Sequence, residues 1–179
     1  MTPLPPIRRI VTGVDAQGRS CIVQDGASPA VFEPAERPGF RVTNLWRTVG
    51  SPADINASDT IAEHHGVTPP PGGTVIRIID IPPEPADPEE RKRAMKEAFE
   101  KLFPDADHRP DDVRHPGMHV TDTVDYAIVL EGELVAVLDQ DETTMRAGDV
   151  LIQRGTNHAW ANRSGKIARI AFILVAGKR

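Results

Sequence analysis

Residues 119–162 read HVTDTVDYAIVLEGELVAVLDQDETTMRAGDVLIQRGTNHAWAN, and this stretch decides the fold. Apolar and polar residues alternate along much of it, and Gly132 and Gly148 mark turns within it. Successive side chains of a β-strand point to opposite faces, so every second residue shares a face. The polar residues that are predicted to share one face are His119, Thr121, Thr123 and Asp125. Polar groups on an otherwise apolar strand face indicate a functional site.

Further strands are predicted on both sides of this stretch. The candidate strands are residues 7–12, 19–24, 41–48, 74–81, 118–130, 133–139, 142–146, 149–153, 157–162 and 166–175. Prolines cluster between these runs, which indicates that they lie in the connections and not inside the strands. Short strands with glycine turns at this spacing are typical of a β-barrel or a double-sheet jelly roll.

One helix is predicted, at residues 87–103. Asp87 can cap this helix, and Pro88 suits its first turn. Apolar residues recur at helical spacing on one face, and charged residues cover the other face. We therefore interpret the apolar stripe, which contains Met95 and Phe99, as a packing face and not as a cofactor site.

A long polar connection, residues 50–73, contains the adjacent His64 and His65. A connection of this length in a small domain is usually functional or mobile. The favoured interpretation is a solvated loop. The alternative is that the two histidines touch a ligand at the mouth of a pocket.

The length suits one domain that spans residues 1–179. This domain would comprise N-terminal strands and loops (1–85), the inserted helix and a core (115–175). The formal net charge is −5, and without a basic stripe no nucleic-acid partner is expected. The only cysteine, Cys21, excludes an internal disulfide framework and a cysteine-based zinc site. We find no signal peptide and no apolar run long enough to cross a membrane, so we expect no membrane partner and a cytoplasmic location.

The central stretch resembles the paired motifs of the cupin superfamily. The first motif of that family has His-x-His, three or four residues, Glu, six residues and Gly. Residues His119, Thr121, Asp125 and Gly132 stand at this spacing. The second motif is matched by Gly148, the strand DVLIQ, the turn RGT, His158 and Asn162. Thr121 replaces the usual second histidine, Asp125 the usual glutamate, and Arg154 a common proline.

The resemblance implies an all-β fold, the cupin double-stranded β-helix barrel or jelly roll, with one inserted α-helix. It also implies a divalent metal ion, because cupins commonly bind one through three histidines and a glutamate. Transferred to this sequence, the metal ligands would be His119, Asp125 and His158. Two imidazoles and a carboxylate suit iron, manganese, zinc or nickel. No nucleotide cofactor is expected, and the resemblance to small cupins implies a homodimer.

A site without a metal ion is the alternative. His158 and Asp125 would then act as the catalytic acid and base. Burial would raise the pKa of Asp125 unless a neighbour stabilises its anion. A further alternative is that Asp125 and the histidines hydrogen-bond to one another as a structural network, inside a barrel that binds a ligand without catalysis.

Other residues are candidates for the wall of a substrate pocket. Thr121 and Thr123 share the predicted face of Asp125, and Trp160 shares that of His158. Trp46 is a second candidate aromatic wall, and Arg77 could anchor an anionic group if it points inward.

The predicted function is that of a cupin-type enzyme for a small molecule that binds inside the barrel. Its reaction would be of the lyase or isomerase type, such as dehydration, decarboxylation or proton transfer next to a carbonyl. The metal ion, if bound, would polarise an oxygen of the substrate. The alternatives are an Fe(II)-dependent oxygenase and a non-catalytic cupin that binds a small molecule.

Overall fold

The computed structural model describes residues 2–35 and 37–179. In chain order these residues form β1 (Arg8–Val14), β2 (Ser20–Ala27), β3 (Ala30–Phe32), β4 (Arg41–Thr48), a 3₁₀ turn (Ile61–Glu63), β5 (Thr74–Ile81), α1 (Pro88–Leu102), β6 (Asp107–His108), β7 (His119–Val120), β8 (Thr123–Glu131), β9 (Glu133–Leu138), β10 (Glu142–Arg146), β11 (Val150–Arg154), β12 (His158–Ala161) and β13 (Ala168–Ala176). The chain is therefore dominated by strands, and α1 is the only α-helix in the described residues.

The strands form two facing sheets and a separate hairpin. One sheet has six strands in the order β11-β8-β13-β5-β4-β3, and the other has five in the order β10-β9-β12-β7-β6. Neighbouring strands are antiparallel throughout both sheets. The pair β1-β2 forms the hairpin. This arrangement confirms the predicted jelly-roll barrel with one inserted helix.

The core lies between the two sheets. Val75, Val129 and Ile170 from the six-stranded sheet pack in one cluster with Leu134 and Ala136 from the five-stranded sheet. These side chains are almost fully buried. The members of this cluster occupy alternate positions of their strands, because successive side chains of a β-strand point to opposite faces. The same alternation brings the polar residues of these strands to the interior.

Helix α1 forms largely as predicted. The Asp87 side chain accepts a hydrogen bond of 2.7 Å from the backbone N–H of Glu90, and Pro88 is the first helical residue. The cap satisfies one of the N–H groups that every helix leaves free at its start. Met95 and Phe99 are the buried residues of the helix. The apolar stripe therefore packs on the barrel.

The predicted strand at 118–130 is two strands in the structure. β7 belongs to the five-stranded sheet and β8 to the six-stranded sheet, so the chain passes from one sheet to the other at Thr121 and Asp122. Strands that change sheets make the corners of such barrels. Two short strands were missed, β3 and β6, because two or three residues carry no detectable alternation.

Within the described part of the chain, no helix is both long and apolar enough to span a membrane.

Candidate active site

Two histidines meet inside the barrel because their strands are neighbours. His119 of β7 and His158 of β12 are directly paired across the sheet. Their ring centroids are 4.2 Å apart. Side chains that are opposite each other on adjacent strands project to the same face. The sequence separates these residues by a long stretch, and the sheet brings them together.

Each of the two imidazoles has one nitrogen bound to a backbone carbonyl. Nδ1 of His119 donates to the carbonyl of Gly117, and Nδ1 of His158 donates to that of Thr156, each over 3.0 Å. A carbonyl only accepts, so Nδ1 carries the proton in both rings. In the neutral ring, Nε2 then carries a lone pair.

Both histidines are neutral at physiological pH. Burial lowers the pKa of His158 to about 4, and the hydrogen bond to Thr156 opposes this only in part. Burial also lowers the pKa of His119 well below its usual value, and the neighbouring His158 lowers it further. The pair therefore offers two basic nitrogens in a site that disfavours positive charge.

Asp125 lies on β8 and is 4% exposed. Its Oδ1 atom is buried and has no hydrogen-bond partner in the described residues. Burial raises the pKa of this carboxyl to about 6, and the Thr123 hydroxyl and the Arg77 guanidinium lower it in part. A carboxyl group with a pKa near 6 can both take up and return a proton close to neutral pH.

Arg77 lies on β5 and is 1% exposed. One of its nitrogens, Nη2, contacts Nε2 of His64 at 2.9 Å and donates to the carbonyl of Gly66 at 2.7 Å. The other two, Nε and Nη1, are buried and without a partner in the described residues. Burial lowers the pKa of this side chain to about 10, and the carboxylates of Asp105 and Asp125 oppose that shift. Arg77 therefore remains a cation with free donors.

His64 corrects the interpretation of residues 50–73 as a merely solvated loop. The ring is 8% exposed and lies behind Arg77. Because the arginine donates, Nε2 of His64 is the accepting nitrogen. Burial lowers the pKa of His64 to about 4, and the Arg77 charge lowers it further. The loop thus supports the guanidinium from behind, whereas His65 is exposed.

His119, His158, Asp125 and Arg77 line one cavity. The empty space of this cavity, including its mouth open to solvent, is about 790 Å³. The polar residues of the wall are Arg37, Arg77, His119, Thr121, Asp125 and His158. The apolar residues of the wall are Phe40, Val67, Ile79, Ile81, Met95, Ala98, Phe99, Phe103, Trp160, Phe172 and Leu174. The wall is therefore mainly apolar, with polar groups at a few positions.

Four of the five predicted pocket residues lie at or beside the cavity, and one of the four is Arg77, described above. Thr121 and Trp160 line it directly. Thr123 is buried beside it, and its hydroxyl is 2.8 Å from that of Thr121. The ring of Trp160 contacts His158 edge-on, with centroids 5.8 Å apart.

Trp46 does not line the cavity. A register shift between Asn44 and Trp46 pairs Asn44 with Arg77 and Trp46 with Ile76. Directly paired residues share a face, so this bulge turns Trp46 to the face opposite Arg77. Trp46 instead borders a groove under the β1-β2 hairpin, where the Arg9 guanidinium lies 5.5 Å from its ring centroid. Strict alternation could not anticipate the bulge.

The metal ligands that the resemblance implies do not form one group. The two Nε2 lone pairs suit a metal ion. However, within residues 2–35 and 37–179, no three His, Cys, Asp or Glu side chains are arranged to hold one ion. Asp125 is therefore not grouped with His119 and His158 in this structure. The donor set does not fit the implied triad, and a bound metal ion stays a prediction.

Several residues of the wall were not anticipated as site residues. Met95, Ala98 and Phe99 belong to α1, whose apolar stripe both packs on the barrel and closes the cavity. The apolar stripe of the helix was the available sequence signal. The same stripe is expected whether the helix packs in a solid core or forms the wall of a cavity. Arg37 lies in a loop without periodicity, with its guanidinium 4.4 Å from the Phe40 ring centroid.

Comparison with known proteins finds a family model, curated relatives and solved structures that are similar to this chain. The family model described as "Cupin domain" matches residues 109–175. The chain is 33% identical to phomopsin biosynthesis cluster protein C' of Diaporthe leptostromiformis, over 95% of this chain and 78% of that protein. It is 28% identical to the cupin-domain-containing oxidoreductase srdD of Neurospora crassa, over 97% of this chain and 78% of that protein. It is also similar to the crystal structure of a Cupin 2 conserved barrel domain protein from Salinispora arenicola, with 14% identity, a TM-score of 0.41, and coverage of 80% of this chain and 87% of that one.

Proposed function

Since this chain belongs to the cupin superfamily, we propose that it is an enzyme whose reaction takes place on a small molecule inside the barrel. The mainly apolar wall selects a substrate with an apolar skeleton. The few polar groups select oxygen atoms on that skeleton. The reaction is proton transfer at a carbon next to a carbonyl group, of the isomerase or lyase type.

One observation carries this proposal. Asp125 and Arg77 line the same cavity, and both have buried polar atoms that lack a partner in the described residues. An unpaired buried polar atom costs about 1–3 kcal/mol. A bound substrate that supplies the missing partners removes this cost. The carboxylate would meet a C–H or O–H group, and the guanidinium would meet an oxygen.

The first step uses the Asp125 carboxylate as a base. It takes a proton from the carbon next to the carbonyl, and the electron pair of that C–H bond moves onto the carbonyl oxygen. The Nε–H and Nη1–H groups of Arg77 stabilise the enolate oxygen as its charge develops. The exclusion of water by the apolar wall strengthens this interaction.

The second step returns the proton from Asp125. In an isomerisation, the substrate carries a C=C bond beside the deprotonated carbon, so the far carbon of that bond takes the proton as the carbonyl re-forms and the double bond shifts. In a dehydration, the returning electron pair expels a β-hydroxyl group, which takes the proton and leaves as water. Either course restores the carboxylate, and the pKa near 6 allows both directions.

The histidine pair orients the substrate. With Nδ1–H donated to backbone carbonyls, the Nε2 atoms of His119 and His158 accept hydrogen bonds. They therefore suit a hydroxyl group of the substrate. Arg77 donates hydrogen bonds to the carbonyl oxygen of the substrate, whereas the two histidines accept from a hydroxyl group. The site therefore distinguishes a carbonyl oxygen from a hydroxyl oxygen.

Solvent deuterium exchange tests the proposal without knowledge of the natural substrate. The protein is incubated in deuterium oxide with a panel of aryl and alkyl ketones and 1,3-diketones. Loss of the proton signal next to the carbonyl is followed by NMR. We expect exchange with the native protein and none with Asp125→Asn. Asp111→Asn, whose side chain is 83% exposed, is the matched control and should exchange like the native protein.

An oxidoreductase is the second candidate, because relatives from Neurospora crassa and Aspergillus ruber bear the name cupin-domain-containing oxidoreductase. The form to test is the Fe(II)-dependent oxygenase that the resemblance implies as an alternative. Oxygen uptake that depends on added Fe(II), persists in Asp125→Asn and is lost in His158→Ala would support it. Binding of panel compounds without exchange or oxygen uptake would instead indicate a non-catalytic binding protein.

A further inference from the structure

The turn that precedes β7, residues 115–118, is held by side chains from outside the cavity. The peptide bond between Pro116 and Gly117 has its N–H and its carbonyl bound to two different imidazoles. A backbone hydrogen bond of 3.1 Å, from Met118 N–H to the His115 carbonyl, closes the turn. Hydrogen bonds on both sides of this peptide bond restrict the conformation of the turn.

His115 holds the N–H side of this peptide bond. Its Nδ1 accepts a hydrogen bond of 3.0 Å from Gly117, and its Nε2 donates to Oε1 of Glu84 over 2.7 Å. A backbone N–H only donates, so Nδ1 of His115 carries no proton and the ring is neutral. His115 is 4% exposed, and the Glu84 side chain is 7% exposed. The carboxylate thus fixes both the orientation and the tautomer of the ring.

His108 holds the carbonyl side. Its Nε2 donates to the carbonyl of Pro116 over 2.9 Å. The ring stacks on Phe99 of α1, with centroids 3.9 Å apart and planes 7° from parallel. In the sheet, His108 is directly paired with His119. The helix, β6 and β7 therefore meet at this turn.

The fixed turn presents the next carbonyl to the active site. The Gly117 carbonyl accepts the Nδ1–H of His119 over 3.0 Å. The contact is close, because a Cβ atom at position 117 would lie 3.0 Å from Nδ1 of His115 and 3.3 Å from the Met95 sulfur. A side chain at this position would push His115 out of place.

We propose that Glu84, His115 and His108 are positioning residues for His119. They hold the Pro116–Gly117 peptide so that the Gly117 carbonyl keeps His119 in the Nδ1–H tautomer. Nε2 of His119 then stays an acceptor. When the turn relaxes, His119 loses this partner and its proton can move to Nε2, which turns an acceptor into a donor. The inference rests on the proposed function only in placing His119 in the active site.

The test is the tautomer of His119, read from two-bond nitrogen–proton correlations in the NMR spectrum of the folded protein. His115→Asn places an amide oxygen where Nδ1 was, so it can still accept from Gly117. His115→Gln reaches Glu84 but leaves Gly117 without its acceptor. We expect His115→Asn to keep the Nδ1–H pattern of His119 and His115→Gln to lose it.

A second variant tests the other side of the turn and guards against a folding failure at His115. His108→Phe keeps the stack on Phe99 and removes the donor to Pro116, so the Nδ1–H pattern should weaken. His65→Gln, at an exposed histidine, is the control and should leave the pattern intact. An unchanged His119 pattern in folded His115→Gln and His108→Phe would overturn the proposal. The tautomer measurement needs no substrate, so the two proposals can be told apart. Absence of deuterium exchange in the native protein would contradict the proposed function, and the NMR result would still decide the positioning role.

Discussion

Asp125 and Arg77 line the same cavity without forming an ion pair. Oδ1 of the carboxyl and both Nε and Nη1 of the guanidinium lack a hydrogen-bond partner among the described residues. The two groups still influence each other, since the guanidinium lowers the pKa of Asp125 and the carboxylate raises that of Arg77. The fold thus keeps opposite charges apart at a cost in stability, and leaves room for a molecule between polar groups.

Asp125 should make the protein less stable as the pH rises. Its pKa is raised from 3.8 to about 6 in the folded state, so the folded state holds this proton more tightly than the unfolded state. The stability that the neutral carboxyl provides is full below pH 4 and is lost as the pH passes through 6. A shift of two pKa units corresponds to roughly 3 kcal/mol.

Urea unfolding of the native protein and of Asp125→Asn at pH 4 and pH 8 measures this effect. Relative to the native protein, the variant should gain roughly 2–3 kcal/mol between the two pH values. The buried His64, His119 and His158 are present in both proteins, so their contribution cancels in the difference. A difference that does not change with pH would contradict the raised pKa.

Replacement of Arg77 should change the acidity of Asp125. Arg77→Met removes a cation that lowers the pKa of this carboxyl, so the pKa should rise above 6. Carbon NMR titration of the aspartate carboxyls measures the shift. Arg47→Met is the matched control, because Arg47 binds Thr60 and Glu63 outside the cavity. An equal effect of both variants would show that the guanidinium acts through general loss of structure.

Metal analysis separates the proposed chemistry from a metal centre. Since Asp125 is not grouped with His119 and His158, we expect less than one equivalent of divalent ion after purification without added metal. A second measurement follows incubation with iron, manganese, zinc or nickel. One full equivalent that is lost both in His158→Ala and in Asp125→Asn would establish the three-ligand centre and contradict this expectation.

The outer face of the six-stranded sheet should bind a second copy of the chain. Tyr126 and Leu130 of β8 are 43% and 45% exposed, and Val150 and Ile152 of β11 are 56% and 49% exposed. These residues lie on paired strands, and an exposed apolar patch of this kind marks an interface. Light scattering should give the mass of a homodimer. Ile152→Lys should yield monomers, whereas Ile55→Lys, at a loop residue that is 94% exposed, should not.

The strand pattern of the barrel could be predicted from the sequence, and its corners could not. β4 and β5 begin and end at the predicted residues 41–48 and 74–81. Alternation fails at Trp46, where a bulge reverses the face, and at Thr121 and Asp122, where the chain changes sheets. The bulge and the change of sheet both depend on hydrogen bonds to partner strands, and these cannot be predicted from the local pattern of apolar and polar residues.

Part of the candidate site could be predicted from the sequence, and part of it depends on contacts made across the fold. Motif spacing brought His119, Asp125 and His158 to attention, and all three line one cavity. The favoured interpretation of His64 as a solvated loop residue was wrong, because its burial comes from a contact with Arg77 across the fold. The grouping of metal ligands depends on ångström-scale distances between strands, so spacing alone could not decide it.

Helix α1 supplies Met95, Ala98 and Phe99 to the cavity, while the two sheets supply Asp125, Arg77 and the histidine pair. The strands pair with one another and not with the helix. The helix therefore contributes only apolar wall, and every group to which the proposed function gives a chemical role lies on the sheets. Larger or smaller side chains at these positions of the helix would change the shape of the cavity and therefore the substrate that fits it. Asp125 and Arg77 would keep their places on the sheets.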